Sequence, residues 1–477
     1  MLGMNHDART KEITLDFAIG ARTVSLANAA GDVTVEPVAG DRGSIVATVE
    51  YWSSSDEWME KVDKEFRVER EETAGVLRLR PVLPDTPKGW IGPARVSYSV
   101  RIQLRVPAGT PLDIANAYGD IAVRDTKGAL KVANQSGNVT ARGLGGPISI
   151  DDRYGDVSVE SVKGPLEVSG TSGSVKARRV ESETRIASSY GDVDAADLGS
   201  TLDLQAGSGS VTVARVSGRA DIDSKYGDVT LDTVGGPLRI GSSSGTVRVR
   251  SAASTVEVRS SYGDVAIEGA GPMVRVESTS GDVSVRRTGG PVEVETSYGD
   301  VTVDNAKGDV SASSTSGGVT LSAIAGGATV RSSYGSVRAS QVGGALRVSG
   351  SSSDVAASDI GGPIEVETSF GGVTLERVRD AVSVRIQSGT ASISGFSGKA
   401  LSAEHRIDTT YGDIDVVWPR GSQPAFHLES SGGSVKSDFA GSEREVGSRL
   451  MLDGASGTGS GRLSLSAQSG SVRLRAE

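Results

Sequence analysis

Glycine recurs in this chain with an 18-residue period. The series starts at Gly119, runs unbroken to Gly335 and continues, after Ser353 takes one place, at Gly371 and Gly389. A short period repeated this often is typical of an array in which each unit stacks on the next, because an insertion within a unit would have to bulge out of the stack. The sequence therefore predicts a solenoid of 18-residue turns, here called rungs.

The residues between the glycines favour β-strands. In a rung from the middle of the array, apolar residues alternate with polar ones at Val229, Leu231, Leu238 and Ile240. A period of two places each pair on one side of an extended strand, and residues 235–237, Gly-Gly-Pro, predict a turn between the pairs. Each rung is expected to contain two strands whose apolar side chains share one core, in an all-β solenoid.

Composition agrees with this fold and excludes several kinds of site. The 477 residues include 63 glycines, few aromatic residues and no cysteine, so neither a disulfide framework nor a thiolate metal site can form. The net charge of −10 argues against a nucleic-acid partner or an anionic membrane surface. No stretch has the apolar length of a signal peptide or a membrane-spanning helix, which by itself favours a cytoplasmic protein without membrane insertion.

The chain is expected to divide into four parts. These are an N-terminal tail at 1–12, a β-rich region with a helical insertion at 13–117, the regular solenoid at 118–389, and irregular final rungs with a cap at 390–477. The division follows the 18-residue interval, which is absent before Gly119 and slips after residue 389.

One short helix is expected in the N-terminal region. Ser54 and Glu57 have the spacing of a capping box, and Trp58, Val62 and Phe66 follow at intervals of four. This pattern predicts an amphipathic helix that covers an open end of the stack.

An aromatic residue precedes every second glycine of the series. We call these eight residues the aromatic ladder: Tyr118, Tyr154, Tyr190, Tyr226, Tyr262, Tyr298, Tyr334 and Phe370. Residues two rungs apart are about 10 Å apart, too far for their rings to stack. If the rings face solvent, they form a row of platforms suited to an extended polysaccharide or a repetitive protein surface. If they lie over the Ser-Gly corner of the adjacent rung, they close the edge of the solenoid, and the sequence leaves both alternatives open.

Aspartate follows many of the same glycines, at Asp120, Asp156, Asp192, Asp228, Asp264 and Asp300. Calcium-binding β-rolls need a Gly-Gly-x-Gly-x-Asp nonapeptide, whereas here one Gly-Asp pair recurs with serine or threonine in intervening rungs. We therefore expect these carboxylates to accept hydrogen bonds from nearby backbone N–H groups, and we predict no metal and no cofactor.

Other acidic groups offer a weak case for catalysis. Asp151 and Asp152 lie close to Asp156, and Asp221 and Asp223 lie close to Asp228, but similar acids recur at many turns. The histidines, His6, His405 and His427, lack the spacing of a metal site or a catalytic triad. We expect no enzymatic activity and no catalytic residue.

The regular pattern breaks near its C-terminal end. Ser353 replaces a glycine, residues 370–372 read Phe-Gly-Gly instead of Tyr-Gly-Asp, and Arg377, Arg379 and Arg385 follow. These arginines form either a docking patch or the solvated edge of a rung.

Several of these features together resemble the bacterial DUF4097 family of adhesin-like β-strand repeat proteins. The resemblance rests on Ala30-Gly-Asp-Val33, Val106-Pro107 before Leu112-Asp-Ile114, Tyr118-Gly-Asp-Ile121 with the rungs that follow, and Ser469-Gly-Ser-Val-Arg-Leu474. It implies a right-handed β-helix in a protein associated with the cell envelope or its stress response, without established enzymatic activity.

The resulting hypothesis is a non-enzymatic β-solenoid that presents its Tyr/Ser/Asp edge to envelope polysaccharide or a protein partner. One alternative is a cytoplasmic structural protein that self-assembles through its ends or edges, and another is a β-helix enzyme acting on polysaccharide. A capped solenoid is expected to be a monomer or to self-associate weakly.

Overall fold

The computed structural model describes residues 8–20, 22–73, 75–86, 95–455 and 461–477. The chain forms two compact units, Met1–Gly236 and Pro237–Glu477. Within the described residues, both units consist almost wholly of β-strands. The first unit also contains one α-helix, α1 (Asp56–Glu65), and the second contains one short 3-10 helix at Gly398–Ser402.

The strands of the first unit are β1 (Arg9–Ala18), β2 (Thr23–Asn28), β3 (Val33–Val38), β4 (Arg42–Ser53), β5 (Arg67–Thr73), β6 (Val76–Val82), β7 (Val96–Pro107), β8 (Leu112–Tyr118), β9 (Ile121–Arg124), β10 (Leu130–Ser136), β11 (Val139–Leu144), β12 (Ile148–Tyr154), β13 (Val157–Val162), β14 (Leu166–Ser172), β15 (Val175–Val180), β16 (Thr184–Tyr190), β17 (Val193–Leu198), β18 (Leu202–Ser208), β19 (Val211–Val216), β20 (Ala220–Tyr226) and β21 (Val229–Val234).

The strands of the second unit are β22 (Leu238–Ser244), β23 (Val247–Ala252), β24 (Val256–Tyr262), β25 (Val265–Ala270), β26 (Val274–Ser280), β27 (Val283–Thr288), β28 (Val292–Tyr298), β29 (Val301–Ala306), β30 (Val310–Ser316), β31 (Val319–Ile324), β32 (Ala328–Tyr334), β33 (Val337–Val342), β34 (Leu346–Ser352), β35 (Val355–Ile360), β36 (Ile364–Phe370), β37 (Val373–Glu376), β38 (Val382–Ser388), β39 (Ala391–Ser394), β40 (Glu404–Tyr411), β41 (Ile414–Trp418), β42 (Ala425–Ser430), β43 (Val435–Ser437), β44 (Ser442–Val446), β45 (Arg449–Gly454), β46 (Arg462–Ser469) and β47 (Val472–Ala476).

Strands separated by one rung pair in parallel, so that equivalent positions of successive rungs lie side by side. In the first unit β11 pairs with β13 and β10 with β12. In the second unit β29 pairs with β31 and β28 with β30, again in 18-residue register. Each rung therefore contributes one strand to each of two parallel sheets, and both units are β-solenoids, as the glycine period predicts.

The core lies between the two sheets and is built from the alternating apolar residues. In β21, Val229 and Leu231 are fully buried, and Val234 is buried as well although it breaks the alternation. Thr233, which precedes it, has a left-handed backbone with φ of 62° and turns the chain so that Val234 also faces inward. Such a conformation is unusual for a residue other than glycine, asparagine or aspartate. Nearly every rung repeats it at the same position.

The glycines of the 18-residue series lie where the backbones of successive rungs touch. Gly299 has a φ of +129°, and a Cβ added to it would overlap the backbone carbonyl of Gly281 in the preceding rung. Both the backbone angle and the close approach exclude any other residue type without local rearrangement. The period of the sequence is therefore the period of this backbone contact.

The N-terminal end of the first unit is closed by antiparallel strands. In one sheet β7 pairs with β4, and β4 pairs with β1; in the other sheet β6 pairs with β5. Strand β1 begins at Arg9, inside the segment for which the sequence predicts a tail. The antiparallel strands end the repeat, because a further parallel rung would find no parallel strand to pair with at this end.

Helix α1 connects β4 to β5 and lies at this end of the solenoid, as the sequence predicts. Trp58 and Val62 are buried, and the ring of Trp58 meets that of Tyr51 edge to face. The predicted cap at Ser54 is wrong: Ser55 caps the helix by accepting a hydrogen bond from the backbone N–H of Trp58. The hydroxyl of Ser54 instead accepts from the backbone N–H of residue 95.

In the second unit, a five-residue insertion accounts for the slip in the glycine interval. It contains the 3-10 helix at Gly398–Ser402, and the next glycine, Gly412, still lies against Gly389. The rung that follows comes from β46 and β47, which pair with β40 and β41. Strands β42 and β43 lie beyond them, and the antiparallel β45 and β44 end the sheet.

The backbone contact at the glycine corner predicts a large effect of adding one methyl group. Gly299→Ala should lower the free energy of unfolding by at least about 2 kcal/mol, because alanine is strained at positive φ and its Cβ displaces a backbone carbonyl. Gly421→Ala is the control, because a Cβ at Gly421 meets nothing within 4 Å. Equal urea midpoints for the two variants would contradict the assigned role of the glycine.

Candidate functional site

The aromatic ladder lies at the end of every second strand of one sheet in each unit. In the first unit, the pairing register forms a column of Tyr118, Ser136, Tyr154, Ser172, Tyr190, Ser208 and Tyr226. In the second unit, the column is Ser244, Tyr262, Ser280, Tyr298, Ser316, Tyr334, Ser352, Phe370, Ser388, Tyr411 and Ser469. Serine therefore separates neighbouring aromatic residues throughout both columns.

The side chains of the ladder face solvent. Their exposed fractions lie between 54 % for Phe370 and 64 % for Tyr262. A ring that closed the edge of the solenoid would be mostly buried, so this geometry favours the first of the two alternatives that the sequence leaves open. Because the strand spacing is about 4.8 Å, the rings recur at intervals of about 10 Å.

Tyr411 extends the ladder by one residue that the 36-residue interval does not predict. That interval would place the next member after Phe370 at position 406, whereas Tyr411 is the residue that pairs in register with Ser388 and is as exposed as the other members. The five-residue insertion accounts for the difference. The Tyr-Gly-Asp sequence at 411–413 is the signal that could have identified it.

Buried hydroxyl groups hold the backbone at the ladder corner. Thr296 faces the core, and its hydroxyl donates a hydrogen bond to the carbonyl oxygen of Tyr298 at 3.3 Å. Thr368 does the same for Phe370 at 2.9 Å. The backbone N–H of Gly281 donates to the carbonyl oxygen of Tyr298, so the corner is tied to the preceding rung as well. These contacts fix where the rings of Tyr298 and Phe370 leave the solenoid.

The aspartates after the glycines bridge successive rungs. One carboxylate oxygen of Asp300 accepts a hydrogen bond from the backbone N–H of Gly318 at 2.7 Å, and Asp264 and Asp282 bind the next rung in the same way. In the first unit, Asp156 accepts from both the backbone and the hydroxyl of Ser174. This is the backbone role that the sequence predicts for these carboxylates.

Within the part of the chain that the structure describes, no three histidine, aspartate or glutamate side chains are grouped so as to hold a metal ion. Among the same residues, no helix is long and apolar enough to cross a membrane.

The geometry agrees with a comparison against known protein families. The model described as Toastrack DUF4097 matches residues 148–272, 242–341 and 307–475, more than half of the chain. This protein belongs to the DUF4097 (Toastrack) family. The match confirms the resemblance inferred from the Gly-Asp-Val rungs and the strands around them.

Other comparisons add little to the family assignment. No curated protein matches this Toastrack chain. A solved structure, described as that of a proposed cell adhesion protein from Clostridium sporogenes, aligns over 98 % of this chain and 100 % of that one. The sequence identity is 8 % and the TM-score 0.18, too low to bear on fold or function.

The two acidic pairs of the Toastrack chain lie differently on their strands. Asp151 and Asp152 are adjacent in β12, so Asp151 is exposed while Asp152 is fully buried in the core. Asp221 forms an ion pair with Arg219 at 2.8 Å, and Asp223 is exposed on the same strand face. Asp151 and Asp152 therefore lie on opposite faces of their strand, whereas Asp221 and Asp223 lie on the same face.

Asp152 occupies an inward position that asparagine fills in the two preceding rungs, at Asn116 and Asn134. The side-chain amide of Asn134 donates a hydrogen bond to Asp152 at 2.9 Å. Burial raises the pKa of the Asp152 carboxyl from its ordinary 3.8 to about 6, and this single hydrogen bond offsets only part of that effect.

The histidines have separate structural roles, and His6 lies outside the described residues. His405 is buried, contacts Phe396 and Trp418, and has a pKa lowered by desolvation. His427 lies 2.6 Å from a carboxylate oxygen of Asp453, and this hydrogen bond raises its pKa. Neither histidine is close to the ladder in the strand register.

Two of the three arginines that follow residue 370 form ion pairs within the chain. Arg377 and Arg379 both form ion pairs with Asp359, at 2.7 and 3.2 Å. Ser353 is buried, and Gly350, at the inward position of the same rung, leaves room for its side chain. These contacts favour the solvated edge over the docking patch for the two paired arginines.

Asp152→Asn should stabilise the protein above about pH 6. The raised pKa means that the folded state binds more protons than the unfolded state between pH 3.8 and about 6, so stability falls over this range as pH rises. Asparagine keeps the acceptor for Asn134 without the charge. Urea unfolding should show a gain of about 3 kcal/mol at pH 8 and almost none at pH 3.5. A gain independent of pH would contradict the buried-carboxyl explanation.

Proposed function

We propose that this Toastrack protein is a non-enzymatic binding protein of the bacterial envelope. In this proposal the aromatic ladder is its contact surface for envelope polysaccharide. The observation that supports this most directly is the exposure of every ladder ring at regular intervals. Single exposed aromatic residues are common on protein surfaces, but a repeated row of them is not expected without a partner.

Tyrosine suits such a surface because it combines a large apolar ring with a polar hydroxyl. Its two side-chain torsions lose little entropy when a ligand orders them. The buried hydroxyls of Thr296 and Thr368 and the glycine corner already hold the backbone in place. Binding would therefore require little reorganisation of the solenoid, which favours affinity.

The structural alternative, self-assembly through ends or edges, receives less support. The terminal strand β5 carries a run of exposed charged side chains, and all five residues of β44 are exposed, among them Glu443, Arg444 and Glu445. Charged edge strands of this kind oppose edge-to-edge pairing. These strands favour a monomer that binds through its side over a protein that polymerises through its ends.

The enzymatic alternative also receives little support. The aspartates beside the ladder accept backbone hydrogen bonds, and Asp151 and Asp152 lie on opposite faces of their strand. A glycosidase needs two carboxyl groups on opposite sides of one scissile bond. We propose a binding role without turnover.

Replacing Tyr262, Tyr298 and Tyr334 together by serine should reduce retention of envelope polysaccharide at least tenfold. The matched control replaces the same three residues by phenylalanine, which Phe370 shows to be compatible with the ladder. Pull-down of purified envelope polysaccharide by each full-length variant measures retention, and circular dichroism verifies the fold. Equal retention by the serine and phenylalanine variants would exclude the ladder as the contact surface.

A further inference from the structure

The ladder of the second unit is bordered by uncharged polar residues. The residue immediately before each member of the column is a serine, threonine or glutamine that is at least partly exposed: Ser243, Ser261, Thr279, Ser297, Thr315, Ser333, Ser351, Ser369, Gln387, Thr410 and Gln468. The first unit differs, because Arg153 and Lys225 stand at the equivalent positions beside Tyr154 and Tyr226. The second unit thus presents rings and neutral hydrogen-bonding groups without a cation in this strip.

The opposite border of the same column carries an aspartate at five of its eleven positions, and its other residues are uncharged. It contains Asp264, Asp282, Asp300, Asp354 and Asp413, each of which accepts a backbone hydrogen bond from the next rung. Those hydrogen bonds hold the carboxylates in place beside the rings. The negative charge of these five aspartates repels a polyanion and tolerates a neutral chain.

The spacing of the column limits the geometry of the ligand. Rings at every second strand recur at about 10 Å, and a serine lies between them. An extended β-1,4-linked glycan turns every second sugar the same way up, and its disaccharide repeat has nearly this length. Each ring can then meet the same face of every second sugar, while the serine between two rings leaves room for the alternate sugar.

We infer that the second unit binds an uncharged β-1,4-linked glycan along its ladder, with one disaccharide for each aromatic residue. This inference rests on the proposed function and specifies its ligand. A general affinity for polysaccharide would make the affinity for longer oligomers depend only on the number of rings. The inferred repeat makes it depend on the spacing of the rings as well.

Titration calorimetry of the full chain with β-1,4-linked N-acetylglucosamine oligomers tests the inference. Affinity should rise several-fold with each added disaccharide, from the disaccharide to the hexasaccharide. An α-1,4-linked glucose hexamer and the polyanion polygalacturonate should bind at least tenfold more weakly. Equal or tighter binding of either one would overturn the assigned linkage or charge.

A variant with the same rings at altered spacing separates the inference from the proposed function. Tyr298→Ser combined with Ser316→Tyr moves one ring by a single strand within the same column. The shifted variant should lose most of the gain on going to the hexasaccharide. If it binds all oligomers as the wild type does, the commensurate repeat is wrong although the ladder still binds carbohydrate.

Two remaining outcomes would overturn the inference in other ways. If the serine variant at Tyr262, Tyr298 and Tyr334 binds the oligomers as well as the wild type, the ladder is not the site and the proposed function fails too. Light scattering without glycan should show a monomer. A dimer that is lost in the same variant would show that a second copy of the chain, rather than a glycan, occupies the ladder.

Discussion

Close contact between glycine backbones in successive rungs determines the rest of this structure. At Gly299 a positive φ and the nearby carbonyl of Gly281 together leave no space for a side chain. The contact recurs along both units, with Ser353 taking the place of one glycine, and it keeps successive strands in register. The contact also explains why the fold accommodates the five-residue insertion before Gly412. The inserted residues lie away from the glycine corner, and Gly412 still contacts Gly389.

Strict register gives the surface its chemistry. Because equivalent residues of successive rungs are neighbours, any residue type that recurs in the sequence becomes a column on the solenoid. Inward columns form the core, and the aspartates form a series of hydrogen bonds between rungs. The aromatic ladder is a column of large rings whose recurrence brings no burial, and for that reason we propose it as the binding surface.

Much of this was predictable from the sequence, and the exceptions have physical causes. The period predicts rungs, strands and the ladder because each reflects a position that repeats. It does not predict the left-handed backbone at Thr233, since no residue type marks that position, nor whether the rings are exposed. The helix is capped by Ser55 instead of Ser54 because the cap position depends on where β4 ends. Strand β46 lies between β40 and β42 because of long-range pairing, which the 18-residue period of the sequence does not report.

Distances between spin labels along the ladder test the central claim most directly. The chain has no cysteine, so pairs of cysteines can be introduced cleanly at Tyr262, Tyr298 and Phe370. In register, the 298–370 pair spans four strands and the 262–370 pair six. Double electron–electron resonance should therefore give mean distances of about 20 and 30 Å, within the breadth set by the label. Equal distances, or distances that do not increase with the number of strands, would contradict a column held in register by the glycine contacts.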